Sequence, residues 1–348
     1  MANQPSLRWW FLPLAILSVS LARSSFGEDV ACSDALQMFR ARKWAEASDR
    51  FRTCEKASPG KTDALLYRGK SLVNLGDFAG AHDSLDSYLS THPTSDDALY
   101  LLGYVDFRQD HPKESLNDFA RAAKLKPPQA SDLKIAALDY VLLNDYSSAA
   151  RYLEQSLALN PADLEARYHL GRVRYQQNQF DAAIAAFQQV LQQDPRNVKA
   201  EENLGLCLEA KNQNDKAIAA YRKAIEFDNQ SMVQTEQPYL DLGKLLTTLN
   251  RATEAVQVLS RATAIQPKSA AAHYELGRAH FGMNHFEEAR SEVEKSAALD
   301  PRNSSAHYLL GRIYKHMGKN EEAAMQFKLT EQLMREHNCE TGGMASSR

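Results

Sequence analysis

The chain has 348 residues, 44% hydrophobic and 24% charged, a balance that excludes an intrinsically disordered polypeptide. Its formal charge of −3 gives no basic excess of the kind that nucleic-acid binding needs, so that class of partner is set aside.

Residues 1–27 read as an export signal. Arg8 supplies a positive start, an apolar run of 13 residues follows from Trp9 to Leu21, and acids begin only at Glu28. The run is shorter than the roughly 20 residues of a membrane-spanning helix, and Pro13 interrupts it. Cleavage is expected after Ala22 or after Gly27, where small residues stand at the cut and three residues before it; an uncleaved anchor is the alternative. The mature chain is expected to be exported. It would be periplasmic or extracellular, or lie in the endoplasmic-reticulum lumen or be secreted if the cell is eukaryotic, with no stable membrane insertion once the signal is gone.

From Glu28 onward the chain repeats itself. AHYELGR (Ala272–Arg278) returns 34 residues later as AHYLLGR (Ala306–Arg312). Nine units fall into register, beginning at Glu28, Thr62, Asp96, Ala130, Leu164, Val198, Glu236, Ala270 and Ser304, and the sixth carries a four-residue insertion near 228–235. Numbered within the unit, position 8 is always glycine or alanine, as at Gly171, Gly205 and Gly243, and position 20 is always alanine or serine. Two antiparallel helices approach closely where both lack bulk. Position 15 is Gly76, Asn144, Asn178, Asn212, Asn250, Asn284 or Gly318, residues that tolerate a left-handed backbone at a helix end, although the first unit has Arg42 there. Position 32 is proline in most units, from Pro59 to Pro301, and ends the second helix. Each unit is therefore helix, tight turn, helix.

This pattern resembles the tetratricopeptide repeat, and the resemblance covers residues 28–337. It implies an all-α, right-handed superhelical solenoid of nine repeats, with residues 338–348 left as a flexible polar tail. It also implies a concave groove, lined by the first helix of each unit, in which family members hold peptides.

Motifs for catalysis are missing. Pro59-Gly60-Lys61-Thr62 looks like the end of a phosphate-binding loop, but Glu55 stands where that loop needs glycine. His273, His280 and His307 have no carboxylate at ligand spacing and read as core histidines. A non-enzymatic protein without metal or cofactor is expected. Cys32 and Cys54, at positions 5 and 27 of the first unit, sit near the distal ends of its two helices and are the candidate disulfide pair.

Positions 5, 9 and 12 of a first helix share one face, and the resemblance turns that face into the groove. The candidate binding residues there are Tyr100, Tyr104, Lys134, Tyr168, Arg172, Lys244, Tyr274, Arg278, Tyr308 and Arg312. Tyrosine and arginine are enriched at binding hot spots. Glu202 and Glu209 interrupt the basic line, which suits an extended partner of alternating charge. Arg278 and Arg312, identical positions in consecutive units, are expected to form a cationic clamp for a carboxylate. The expected function is a protein–protein interaction scaffold or adaptor for protein or peptide partners, acidic segments among them. The alternative is a structural protein that assembles end to end through its terminal repeats.

Overall fold

The computed structural model describes residues 30–60 and 63–345; the expected export signal and both cleavage points lie outside the described residues. Among the described residues all regular structure is α-helical, and the helices form two compact units, one ending at Pro128 and one beginning at Gln129. The first unit contains α1 (Val30–Arg40), α2 (Trp44–Ala57), α3 (Ala64–Leu75), α4 (Phe78–Thr91), α5 (Asp96–Arg108) and α6 (Pro112–Ala123). The second contains α7 (Ala130–Leu142), α8 (Tyr146–Leu159), α9 (Leu164–Gln176), α10 (Phe180–Gln193), α11 (Val198–Ala210) and α12 (Asn214–Asp228). It continues with α13 (Gln237–Thr248), α14 (Ala252–Ile265), α15 (Ala270–Gly282), α16 (Phe286–Leu299), α17 (Ser304–His316) and α18 (Asn320–Ala345). Each unit is an all-α solenoid of stacked helix pairs, in which a helix packs on partners one or two places along the chain. The last helix runs to Ala345 rather than ending near residue 337, so residues 338–345 are helical backbone and not the expected tail.

Local chemistry sets the helix limits. Asp163 and Asn197 accept at 2.9 Å from the backbone N–H of Ala166 and Ala200, and Ser95, Ser269 and Asn303 cap α5, α15 and α17 in the same way. At the other end, the turn inside every pair takes a left-handed residue, with φ between 57° and 77°. Seven of these are the expected Asn and Gly; the other two are Arg42 (φ 58°) and Asp110 (φ 64°). A long side chain at Arg42 brings steric cost without the local hydrogen bonding that reconciles Asn or Asp with this region. Arg42→Gly is therefore expected to stabilise the first repeat by about 1 kcal/mol. Urea unfolding followed by the fluorescence of Trp44, whose ring lies 5.2 Å from that of Phe39, reports on this repeat directly. An unmoved midpoint would show that the turn carries no such strain.

The small-residue columns do their packing in a way the sequence pattern does not reveal. The position-20 residues are fully or almost fully buried, as expected. The position-8 glycine, however, is roofed mainly by a bulky side chain from position 24 of the second helix. Cβ atoms built on Gly205 and Gly243 would lie 2.5 Å from the Tyr221 ring and 2.4 Å from Leu259. The glycine is a slot for that side chain.

The insertion after α12 is a closed loop. Buried Asp228 accepts from the backbone N–H of Thr235 at 3.2 Å, and Tyr239 donates to Asn229 Oδ1 at 2.8 Å. Met232 and Val233 are exposed at its tip, and the loop borders a surface depression shared with Arg261, Ala264 and Ile265 of α14. It thus sits beside a second helix and does not form a lip on the first-helix face.

Candidate functional site

Of the ten candidate residues, Tyr100 and Tyr104 belong to the first unit. Tyr100 donates to the carbonyl of Lys126 at 2.6 Å, and Tyr104 accepts at 2.7 Å from Arg108, whose guanidinium lies 4.3 Å from the centre of the Phe78 ring. Both phenols are already hydrogen-bonded within their own repeat.

The other eight lie in the second unit, on the first helices α7, α9, α13, α15 and α17, with none on α11. Lys134 bridges to the following repeat, with Nζ 3.1 Å from Asp163 and 2.6 Å from Glu165. Burial works against its charge, but the two carboxylates outweigh it and hold the ammonium group above the usual lysine range. Lys134 is a strap between repeats. Tyr168 packs against Phe187, accepts from Asn203 at 3.2 Å, and has its phenol pushed up to about 12 by burial. Arg172 lies 5.9 Å from the centre of that ring.

Further along, burial raises the pKa of half-buried Tyr274, and the charges of Arg278 and Arg312 oppose that rise. These arginines do not present two open guanidinium groups. Arg278 pairs through Nε with Glu275 at 2.7 Å and reaches the Lys244 carbonyl at 3.4 Å. Arg312 lies over the Phe281 ring at 4.7 Å, and Tyr308 is half exposed against Phe327. Lys244 stands 3.8 Å from Asp241.

Asp241 and Glu275 are the residues that the choice of positions 5, 9 and 12 left out. Both occupy position 6 and both are buried. With Glu202 and Glu209 they place four carboxylates among the arginines and tyrosines of α9 to α17. Burial raises the pKa of all four, and the Asp241 charge adds to it at Glu202, Glu209 and Glu275. Glu209 is further occupied by the Tyr221 hydroxyl at 2.8 Å. The face is thus of mixed charge, with its cations partly answered from within.

Two of the three histidines, His273 and His307, hold the fold together. His273 and His307 donate through Nε2 to the carbonyls of Pro267 at 3.1 Å and Pro301 at 3.0 Å. Among the described residues no group of three or more His, Cys, Asp or Glu has the arrangement to hold a metal ion. Cys32 and Cys54 are joined in a disulfide, with Cα atoms 5.2 Å apart and both side chains fully buried.

Comparison with known proteins agrees with this architecture. One family model described as tetratricopeptide repeat matches residues 68–131, 170–231 and 274–329, and a second of the same description matches 140–189 and 246–297. The chain belongs to the tetratricopeptide repeat family. Among solved structures, it is similar to a tetratricopeptide repeat protein from Parabacteroides merdae, at 18% identity and a TM-score of 0.58, over 72% of this chain and 98% of that one. It is similar also to yeast Tom70, at 19% identity and a TM-score of 0.52, over 94% of this chain and 70% of that one. At these identities the likeness concerns the fold. No curated protein is significantly similar to the chain.

Proposed function

We propose that this protein is a non-enzymatic scaffold that holds an extended segment of a protein partner along the first-helix face of its second unit, in an extracytoplasmic or secretory compartment. One observation carries the reading. Arg172, Glu202, Lys244, Glu275, Arg278 and Arg312 set charges of both signs on neighbouring first helices, beside the part-buried rings of Tyr168 and Tyr274. Ring faces supply contact area at low rotamer cost, and charged groups in a partly dry setting fix the register of a chain laid across them. A partner carboxylate would draw Arg278 from Glu275 and bridge it to Arg312. Each charged hydrogen bond so formed contributes about 1.5–3 kcal/mol.

The test begins with a partner captured from native extract. Its affinity is expected to fall about tenfold or more for Arg278→Ala and for Arg312→Ala, with coupled losses in the double variant. Binding is expected to weaken as salt rises, because the Debye length shrinks from about 10 Å at 0.1 M to about 3 Å at 1 M. Parent-like binding by both single variants would remove the partner from this face.

The compartment has its own test. The Cys32–Cys54 bond suits an oxidising environment, as does the apolar segment at the start of the chain. Mass spectrometry of the native protein is expected to find a chain beginning at Arg23 or Glu28. An intact amino terminus on protein from the cell interior overturns the export reading.

A further inference from the structure

In three first helices of the second unit, position 4 forms a latch. In α9, Arg167 donates to the carbonyl of Pro161 and to the side-chain oxygen of Gln189. In α15 and α17, His273 and His307 make the same bond to Pro267 and Pro301. A repeat thereby ties down the proline turn that precedes it with a donor of its own.

In α11 the residue at this position is Glu201, and the preceding turn carries Pro195. An ionised carboxylate has nothing to donate to a carbonyl. Glu201 is only 5% exposed, and its Oε2 has no hydrogen-bond partner. Its Oε1 lies 3.6 Å from Nζ of Lys223, beyond good hydrogen-bond length, on a side chain that is 61% exposed. Glu201 and Pro195 line an open cleft of about 570 Å³ between α10, α11 and α12, whose apolar walls are Leu191, Leu204 and Phe227. Glu226 stands on the same cleft, so the two carboxylates outnumber the one lysine there.

We propose that this cleft receives an arginine side chain from a partner protein, its guanidinium taking the place that Arg167 fills in the preceding repeat. The preceding repeat is the template, since the same helix position and the same proline turn hold a guanidinium there. A guanidinium offers several donors in one plane, enough to serve a carboxylate oxygen and a carbonyl together. Its methylene stem would lie along Leu191, Leu204 and Phe227. The cleft lies between the second helices α10 and α12 and the side of α11 that carries Glu201 and Leu204; it uses none of the residues named for the first-helix face above, so the two sites stand or fall independently.

The test uses the full chain and the dipeptide N-acetyl-leucyl-arginine amide as probe. Methyl NMR shifts of Leu191 and Leu204 report occupancy and give the dissociation constant. The expected result is saturable binding at millimolar probe, at least tenfold weaker for the isosteric citrulline dipeptide and at least tenfold weaker for Glu201→Gln. Glu201→Arg, which restores an internal donor, is expected to abolish binding and raise the melting temperature. Absence of saturable shifts in the parent overturns the proposal, as does equal binding of the arginine and citrulline probes or parent-like binding by Glu201→Gln.

Discussion

Leucine in place of Gly205 is expected to destabilise the α11–α12 pair by about 3 kcal/mol or more. A Cβ at this position would meet Cε1 and Cδ1 of Tyr221 at 2.5 and 2.6 Å, before the rest of the side chain is added. The ring has nowhere to move. Tyr221 is completely buried, its hydroxyl is tied to Glu209 at 2.8 Å, and it packs in a cluster with Leu242, Leu246 and Leu259. Repeat arrays are stabilised by nearest-neighbour interfaces, so a fault in the middle of one should also split unfolding into steps. Chemical denaturation followed by circular dichroism shows both effects. Gly282→Ala is the control: no atom stands within 4 Å of its built Cβ, and the variant should unfold with the parent. If Gly205→Leu does so too, the slot is not close-packed in solution.

Protonation of Asp106 on α5 is expected to make a stabilising contribution to the first unit. This side chain is 2% exposed, and burial raises its pKa to about 6. His82, with Nε2 3.5 Å from Oδ1, and His111 oppose the shift, while Asp118 and Glu114 add to it. Asp118 is itself buried and raised by burial, although Arg121 holds it at 2.6 Å. The sign follows from linkage. The folded state binds the Asp106 proton more tightly than the unfolded chain, whose aspartate titrates near pH 4. The stabilisation is complete below about pH 4 and is lost as pH rises through about 6, a change of about 3 kcal/mol. Asp106→Asn keeps the shape and removes the titration. Its urea midpoint, read from Trp44 fluorescence, should vary less with pH than the parent's and lie above it near pH 8. A parent-like profile would place the titration on other groups.

The helical repeat was legible because backbone punctuation is local. Asparagine at 144, 178, 212, 250 and 284 needs no neighbour to explain it, and its left-handed geometry follows from the residue type. What fills the space over position 8 was not legible. Leu85, Phe119, Phe187, Tyr221, Leu259, Val293 and Phe327 form a column of bulky apolar residues at position 24, but nothing in the spacing says that this column is what lies over position 8. The face chosen at positions 5, 9 and 12 located Arg172, Lys244 and Arg278 but not their surroundings. Lys134 is answered by Asp163, the last residue of its own repeat, and by Glu165 of the next, and Arg278 by Glu275 on its own helix. Whether a charge is free depends on residues at other positions of its own repeat and on the repeat that follows. The caps at Ser95, Asp163, Asn197, Ser269 and Asn303 were available in the sequence, since small polar residues recur at position 34.

Packing between helices only one or two places apart also sets the order of events during synthesis. Low sequence separation favours folding in microseconds to milliseconds, whereas a ribosome adds only about 5–20 residues per second. Two neighbouring repeats can therefore close soon after the chain that forms them emerges. For a polypeptide destined for export as proposed, this makes a race between closure and delivery. A leader recognised early meets an extended chain, and one recognised late meets repeats that have already closed.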